Sequence, residues 1–184
     1  MKVIDGYLPD WLIDKVASEI PIVPVTYTNS PYGDYETSRF FGCNLVEREV
    51  WVAPCPPFFF IDYLHQCVCN DILLDYKIDH LDRCLLNCQT QGLNAQPHTD
   101  SNSNTRISGI YQVVGDGDTV FYNTELKETY RVPFKQGRLI LFNSTIWHQG
   151  LPPTTSPVRY SLGYIWHLNY TLDEHDPQGL SNVP

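Results

Sequence analysis

The sequence predicts an α+β fold that is mainly β, in which two N-terminal helices cover one face of a sheet sandwich or barrel. The chain has 184 residues, the size of one domain. Charged residues make up only 18% of it and aromatic residues 13%, which favours sheets covered by aromatic side chains. We therefore expect a single domain over residues 1–184, with helical support over 1–80, a β core over 83–168 and a loosely held polar tail over 173–184.

The two helices are predicted from apolar residues that recur at helical spacing. In the first, Leu12, Val16 and Ile20 form one stripe, and Pro21 stops the helix. A second, longer helix is predicted over Phe58–Lys77, after a proline-rich start. Between them, residues 26–44 are rich in Tyr, Asn, Ser and Gly, which indicates a loop with one irregular strand that could overhang a site.

Seven short strands are predicted after residue 82, because β-rich runs alternate there with turns of Gly, Asn, Pro and Asp. They are Arg83–Thr90, Thr105–Val114, Thr119–Tyr122, Thr129–Phe134, Arg138–Phe142, Thr145–His148 and Val158–Leu168. No internal repeat or low-complexity segment accompanies them.

The charge balance excludes several partners. The chain has 12 Lys and Arg against 21 Asp and Glu, a formal charge of -9, so a phosphate backbone would be repelled and no nucleic-acid partner is expected. No basic-then-apolar leader opens the chain, and apolar runs such as Pro56–Ile61 are too short to cross a bilayer. We expect a cytoplasmic protein without a membrane partner.

The cysteines indicate free thiols rather than disulfides or a zinc site. A chain of this length without a secretion signal keeps its thiols reduced. Neither the Cys67/Cys69 nor the Cys84/Cys88 spacing matches the two-residue gap of zinc knuckles. All six cysteines are therefore expected to be free and mostly buried: Cys43, Cys55, Cys67, Cys69, Cys84 and Cys88.

Three residues form a candidate metal site. His98 and Asp100 are separated by one residue, so alternation along an extended chain puts them on the same side. His148 ends a later strand-like run that a neighbouring position in the sheet can bring beside them. Two imidazoles and one carboxylate on one face of a metal leave the other positions open, as an iron oxygenase requires. A His-x-Asp tripeptide alone is more often a surface turn or a helix cap, so a second signal is needed.

The second signal is the run Val158–Trp166. Alternation places Arg159, Ser161 and Gly163 on one face and large aromatic and aliphatic residues on the other. A guanidinium binds a carboxylate bidentately and a hydroxyl adds a donor, so Arg159 and Ser161 can clamp a dicarboxylate. The alternative is a surface arginine in an amphipathic strand, and the strand of His148 just upstream disfavours it.

The other chemistry-bearing residues receive simpler interpretations. A strand-edge charge describes Arg106 and a packed aromatic describes Trp166. The remaining histidines are interpreted as non-ligands: His65, His80, His167 and His175.

In combination, these residues resemble the Fe(II)- and 2-oxoglutarate-dependent oxygenase superfamily, whose signature is His-x-Asp, a distal His and an Arg or Lys shortly after it. Within it, the segments Leu86–Gly92, Gly117–Phe121 and Gly137–Phe142 look like the prolyl 4-hydroxylase-like branch. The resemblance extends over residues 83–167 and implies a double-stranded β-helix, or jelly roll. The branch includes small forms common in phages and marine bacteria, so a phage-encoded enzyme that acts in the host cytoplasm is one origin compatible with the resemblance.

The resemblance also implies a set of cofactors. His98, Asp100 and His148 would bind Fe(II), and 2-oxoglutarate would chelate the iron through its ketone and adjacent carboxylate. Arg159, helped by Ser161, would hold the distal carboxylate. Dioxygen is the oxidant, with ascorbate as an optional reductant. These residues are the expected catalytic and cofactor-binding groups.

One position departs from the family pattern. Many relatives carry a tyrosine on the strand before His-x-Asp that also bonds the distal carboxylate, whereas Asn87 and Gln89 occupy that strand here. Tyr111 is the candidate replacement. The alternative is an aromatic residue that fills the barrel.

The function that the resemblance implies is hydroxylation of an unactivated C–H bond, in a prolyl residue of a peptide or protein. A hydroxylase of a free amino acid or another small metabolite is the alternative, because the chain is short and lacks an evident peptide-binding module. A non-catalytic cupin-like barrel is disfavoured because it needs no dicarboxylate clamp. The acidic balance disfavours a nucleic-acid demethylase.

Overall fold

The computed structural model describes residues 1–29, 40–48, 50–51 and 58–184. Two α-helices and eleven strands form within these residues. In chain order they are β1 (Lys2–Ile4), α1 (Asp10–Glu19), β2 (Thr26–Asn29), β3 (Phe40–Glu47), β4 (Val50–Trp51), α2 (Phe58–Cys67), β5 (Ile78–Thr90), β6 (Arg106–Val114), β7 (Thr119–Tyr122), β8 (Glu128–Val132), β9 (Leu139–Asn143), β10 (Trp147–Gly150) and β11 (Val158–Leu168).

The first helix follows its prediction closely and the second is shorter than predicted. The stripe of Leu12, Val16 and Ile20 is buried, as its spacing indicates. Helix α2 ends at Cys67, and a π-helical turn and a 3-10 turn carry the chain on to residue 76. Lys77 then takes a left-handed φ of 48°, which ends the helical path. Apolar spacing does not distinguish these successive kinds of helical turn, so the prediction ran them together.

The strands form two antiparallel sheets. The large sheet has the order β1-β9-β6-β11-β5-β3-β2, with β4 paired to β3, and the small sheet has the order β10-β7-β8. Within the two sheets, most strands pair with strands that are distant in sequence, and this arrangement is typical of a jelly roll. The predicted fold class, a double-stranded β-helix with two N-terminal helices on one sheet, is confirmed.

The two faces of the large sheet bury different cores. One face, with Leu141, Leu162 and Trp166, packs with α1 and α2 in the main hydrophobic cluster. The other face contributes Ile140 and Phe142 to a smaller cluster, between the sheets, that also contains residues of the small sheet. Helices therefore close one side of the large sheet, and the space between the sheets is left for a site.

The N-terminal third contains more strand than predicted. Strand β1 pairs with β9, and β2 and β3 pair with each other where a single irregular strand was expected. Short edge strands with mixed composition carry little alternation, and their pairing comes from the sheet they join. Residues 30–39, which contain most of the expected overhanging loop, lie outside the described residues.

The C-terminal tail is packed, so the prediction of a loosely held end is wrong. Leu172 and Leu180 are almost fully buried in the main core. The Asp176 carboxylate accepts hydrogen bonds from Tyr76 Oη, the Leu180 amide and the Ser181 amide, each at 2.8 Å. The prediction was based on the polar composition of the tail, which does not show that Leu180 is buried or that Asp176 is hydrogen-bonded.

The described cysteines carry free thiols: Cys43, Cys67, Cys69, Cys84 and Cys88. Only Cys84 and Cys88 are fully buried, fewer than expected, and Cys55 lies outside the described residues. No helix within the described ranges has the length and apolar character needed to cross a membrane.

Candidate active site

The backbone around β10 brings the three predicted ligands together. His98 and His148 exchange both backbone hydrogen bonds, at 2.9 and 2.8 Å. The Asp100 amide donates to the Ser144 carbonyl at 3.0 Å, in the loop before β10. His98 therefore lies in an isolated bridge rather than in a regular strand. His148 is the second residue of β10 rather than the end of a strand.

The donor atoms of these side chains converge on one point. Asp100 Oδ1 lies 3.9 Å from His98 Nε2, and Asp100 Oδ2 lies 3.6 Å from His148 Nε2. All three donor atoms lie within 4.8 Å of one another. Metal bonds to imidazole nitrogen and carboxylate oxygen are about 2.0–2.2 Å long, so one cation between the three side chains can reach all of them.

Backbone carbonyls fix the tautomer of both histidines. Nδ1 of His98 lies 3.0 Å from the Gln96 carbonyl, and Nδ1 of His148 lies 3.0 Å from the Ile146 carbonyl. A carbonyl only accepts hydrogen bonds, so each Nδ1 carries the proton. The lone pair of each Nε2 is thereby presented to Asp100, the arrangement that metal-binding histidines require.

The Asp100 carboxylate is held from a second side. Ser108 Oγ donates to Asp100 Oδ2 at 2.7 Å, and the Ser108 and Ser144 hydroxyls lie 2.7 Å apart. Arg83 Nη2 lies 3.4 Å from Asp100 Oδ1. These contacts fix the orientation of the carboxylate at the centre of the site.

The pKa values of the site favour its deprotonated state. Burial raises the pKa of Asp100, but the charges of His148, His98 and Arg83, with the hydrogen bond from Ser108, outweigh it and hold the pKa below its ordinary value. Burial lowers the pKa of His148 to about 4, against the opposing effect of Asp100. A carboxylate and a neutral imidazole are the forms that bind a metal.

Arg159 is a buried cation with no carboxylate partner among the residues that the structure describes. It is 3% exposed, donates from Nη1 to Gln89 Oε1 at 2.6 Å and from Nη2 to Thr119 Oγ1 at 3.3 Å, and its Nε has no hydrogen-bond partner among the described residues. Burial lowers its pKa to about 10, with a smaller opposing effect from Asp118, which itself pairs with Arg131 at 3.4 Å. The guanidinium stays charged at neutral pH.

Gly150 gives the Arg159 guanidinium its space. A Cβ at this position would lie 2.5 Å from Arg159 Nη1, so any side chain would displace the group. The Gly150 carbonyl accepts a hydrogen bond from Gln89 Nε2 at 2.9 Å, which orients the amide that contacts Arg159. Gln89 and Gly150 were not among the predicted site residues. The sequence could have indicated them only through alternation along the strands. Gly150 is two residues after His148 on β10, and Gln89 lies on β5, which pairs with the strand of Arg159.

Arg159 and the three candidate metal ligands line the same cavity between the sheets. Along β11, Arg159 pairs with Gln89 and Ile165 pairs with Arg83. The six intervening steps correspond to roughly 20 Å of strand. The Arg159 end is closed, whereas the Arg83 side chain is 41% exposed and lies next to Asp100. The cavity therefore has a buried cation at one end and an accessible cation at the other.

Ser161 and Tyr111 lie on opposite faces of the large sheet. Ser161 is buried, lines the cavity with Arg159 and pairs with Asn87, whose Oδ1 has no donor among the described residues. Tyr111 pairs with Leu162 on the helix-covered face, with its ring centroid 5.9 Å from that of Phe60. The expectation that Tyr111 contacts the cosubstrate is wrong, because strand parity points it into the helix-side core.

The sequence of this β core matches a known protein family. Residues 84–167 match the model of the 2OG-Fe(II) oxygenase superfamily. This β core is therefore similar to the 2OG-Fe(II) oxygenases. The match contains all three candidate metal ligands as well as Arg159. The match indicates Fe(II), 2-oxoglutarate and dioxygen as the cofactors.

Solved structures share the fold of this chain at low identity. A prolyl hydroxylase from Trichoplax adhaerens, in complex with a hypoxia inducible factor peptide fragment, has a TM-score of 0.64 and 20% identity over 91% of this chain and 83% of its own. A prolyl-4-hydroxylase from Pseudomonas putida has a TM-score of 0.63 and 15% identity, over 92% of both chains. The carbocyclase SnoK from nogalamycin biosynthesis has a TM-score of 0.68 and 11% identity, over 99% of this chain and 88% of its own. No curated protein sequence matches the chain.

Proposed function

We propose that the protein is a hydroxylase in which His98, Asp100 and His148 bind Fe(II), and Arg159, with Ser161, binds the distal carboxylate of 2-oxoglutarate. The proposed substrate is a prolyl residue in a peptide or protein. The observation that carries the proposal is the guanidinium of Arg159, which has no carboxylate partner among the described residues and is buried in the same cavity as the three candidate metal ligands.

A buried charge without a counter-charge is costly, so the site should have an anion as its natural occupant. The distal carboxylate of 2-oxoglutarate supplies that counter-charge, and the unpartnered Nε of Arg159 is a donor still free to bind it. The hydroxyl of Ser161 lies on the same face and adds a second donor. A non-catalytic metal barrel that binds no dicarboxylate would leave the buried charge of Arg159 without a counter-charge.

The residues of the chain supply geometry to the reaction. When bound, Fe(II) and 2-oxoglutarate supply the oxidation chemistry, in which dioxygen is consumed and 2-oxoglutarate is converted to succinate and carbon dioxide. Two imidazoles and one carboxylate from the protein leave coordination positions open for the cosubstrate and dioxygen. Arg159 fixes the cosubstrate from the closed end of the cavity. The substrate then enters from the open end, where Arg83 lies beside Asp100.

The prolyl substrate is supported by the relatives. Two of the similar structures are prolyl hydroxylases, one of them bound to a peptide, and a viral collagen prolyl hydroxylase is a third, with a TM-score of 0.57. The sequence resemblance to the prolyl 4-hydroxylase-like branch agrees with them.

The experiment is an anaerobic titration with Fe(II) and 2-oxoglutarate, followed by exposure to oxygen in the presence of proline-containing peptides. We expect peptide-stimulated succinate formation and a mass gain of one oxygen atom on the peptide. The matched peptides have alanine in place of proline, and free proline should stimulate less. If the protein binds 2-oxoglutarate but no peptide stimulates succinate formation, the prolyl substrate is refuted while the proposed oxygenase activity stands.

A small-molecule substrate is the second candidate. It is supported by the similarity to SnoK and to the epimerase SnoN from the same biosynthesis, and by the accessible Arg83 at the open end, which can bind a carboxylate. Stimulation of succinate formation by a free amino acid, lost in Arg83→Gln while 2-oxoglutarate binding is retained, would favour this candidate over the prolyl peptide.

A further inference from the structure

A second group of metal-binding side chains lies near the start of β5 and the end of β11. It consists of Asp79, His80 and His167, whose donor atoms all lie within 4.8 Å of one another. None of the three lines the cavity between the sheets. The group is therefore separate from the proposed iron site.

The strand register brings the three side chains together. His80 and His167 are direct partners across β5 and β11, and their rings stack with centroids 4.8 Å apart. The next pair is Ile78 with Leu168, so Asp79 has no partner and is the extra residue of a β-bulge. A bulge redirects the side chain of its extra residue. Here it lets Asp79, the sequence neighbour of His80, reach both imidazoles.

Of the two distances from Asp79 Oδ2 in this group, one equals the separation between ligands of a bound cation and the other is shorter by about 0.4 Å. Asp79 Oδ2 lies 2.9 Å from His80 Nδ1 and 3.4 Å from His167 Nδ1. Tetrahedral Zn²⁺ with bonds of about 2.0–2.1 Å separates its ligand atoms by roughly 3.3–3.4 Å. Small rotations of the side chains would therefore admit an ion without moving the strands.

The site is also accessible. The side chains of both histidines are 28% exposed and that of Asp79 is 51% exposed. A surface groove lined by Asp79 and His80 borders the group and leaves room for water as a further ligand. Two imidazoles and one carboxylate suit borderline ions such as Zn²⁺, Ni²⁺ and Cu²⁺ better than Mg²⁺ or Ca²⁺.

We propose that Asp79, His80 and His167 bind a divalent transition-metal ion of the Zn²⁺ type, with the remaining position open to water. The ion would replace the hydrogen bonds that Asp79 now makes to the two rings. It would link the start of β5 to the end of β11, so its expected role is to stabilise this strand pair rather than to take part in the reaction.

Zn²⁺ binding to the full chain, measured by equilibrium dialysis with metal analysis, tests the proposal. The double variant His80→Ala/His167→Ala should take up one equivalent of Zn²⁺ less than the parent, or bind that equivalent at least tenfold more weakly. His175→Ala, which removes another exposed histidine, is the matched control and should behave as the parent does. Zn²⁺ uptake by the double variant equal to that of the parent, in amount and affinity, would overturn the proposal.

A thermal melt separates this site from the proposed iron site. In the variant His98→Ala/His148→Ala, Zn²⁺ should still raise the unfolding midpoint, because an ion that binds only the folded chain stabilises it. The added substitutions His80→Ala and His167→Ala should abolish that rise. A rise that persists would show that Zn²⁺ acts elsewhere. If the first variant does not fold, the difference in uptake between the parent and His80→Ala/His167→Ala still decides the matter.

Discussion

Gln89 Oε1 accepts a 2.6 Å hydrogen bond from Arg159 Nη1, across the paired strands β5 and β11. This closest partner of the buried guanidinium is a neutral amide, and the Thr119 hydroxyl is neutral too, so both orient the cation without cancelling its charge. Gln89 lies on the strand where many relatives carry a cosubstrate-binding tyrosine. We infer that it positions Arg159 for an incoming carboxylate.

Replacement of Gln89 by Glu tests this arrangement. The substitution places an internal carboxylate beside Arg159 with almost no change in shape, so it should compete with the cosubstrate for the guanidinium. We expect the affinity for 2-oxoglutarate, measured by anaerobic calorimetry with Fe(II), to fall at least about tenfold, or ~1.4 kcal/mol. The control Gln89→Ala leaves the charge of Arg159 uncancelled and removes one hydrogen bond that orients it. The free energy of 2-oxoglutarate binding should therefore weaken by only about 1 kcal/mol. A Glu variant that binds 2-oxoglutarate like the parent would contradict the role of Arg159.

Removal of the guanidinium itself should have a larger effect. Arg159→Ala should weaken 2-oxoglutarate binding by about 2–5 kcal/mol, the range for loss of one member of a buried charge pair. Iron binding should persist, because the described hydrogen bonds of Arg159 go to Gln89 and Thr119 and not to the proposed metal ligands. Pyruvate lacks the distal carboxylate and should bind parent and variant about equally. Unchanged 2-oxoglutarate affinity would refute the cosubstrate assignment.

The proposed metal ligands give a sharper outcome. His98→Ala, Asp100→Ala or His148→Ala should each abolish stoichiometric Fe(II) binding at the cavity while the far-ultraviolet circular dichroism stays that of a folded chain. Asp100→Gly vacates a coordination position and can retain weak iron binding without hydroxylation. Iron content after anaerobic dialysis measures the effect. Full retention of iron in any alanine variant would remove that residue from the site.

Tyr111→Phe distinguishes a core residue from a cosubstrate ligand. The Tyr111 hydroxyl is buried without a hydrogen-bond partner among the described residues, and burial raises the pKa of the phenol. Because its removal relieves an unsatisfied polar group, the free energy of unfolding should stay the same or rise by about 1 kcal/mol. The Kd for 2-oxoglutarate should not change. A clear loss of 2-oxoglutarate affinity would return Tyr111 to the site.

Asp176 should make stability depend on pH at the acid end. Burial raises its pKa, but hydrogen bonds from Ser181, Tyr76 and Leu180 outweigh it, so the pKa is lowered in the folded chain. A lowered pKa contributes stability above the ordinary value of about 3.9 and loses it as the pH falls through the folded value. Asp176→Asn should therefore cost about 1–2 kcal/mol at pH 7 and less below about pH 4. Urea unfolding at both values measures this, and an equal cost at both would exclude a charge effect.

The sequence by itself determined the features that depend on the spacing of residues close together in the chain. Alternation along residues 158–168 predicted which side chains of β11 face the cavity, because a strand exposes its residues to two faces in turn. The His-x-Asp spacing and the later His148 identified a donor set that the fold then brings together. The stripe of Leu12, Val16 and Ile20 predicted a helix because one turn returns to the same face every three to four residues.

Tertiary structure decided what depends on pairing between distant segments. Tyr111 has the residue type of a cosubstrate ligand, yet the register of β6 against β11 turns it towards α2. The contact of Gln89 with Arg159 and the meeting of Asp79 with His167 both follow from the pairing of β5 with β11. Strand register is fixed by which faces the whole sheet buries, and a shift of one residue would exchange them. A local pattern cannot specify that choice, because the energy that selects it comes from the assembled core.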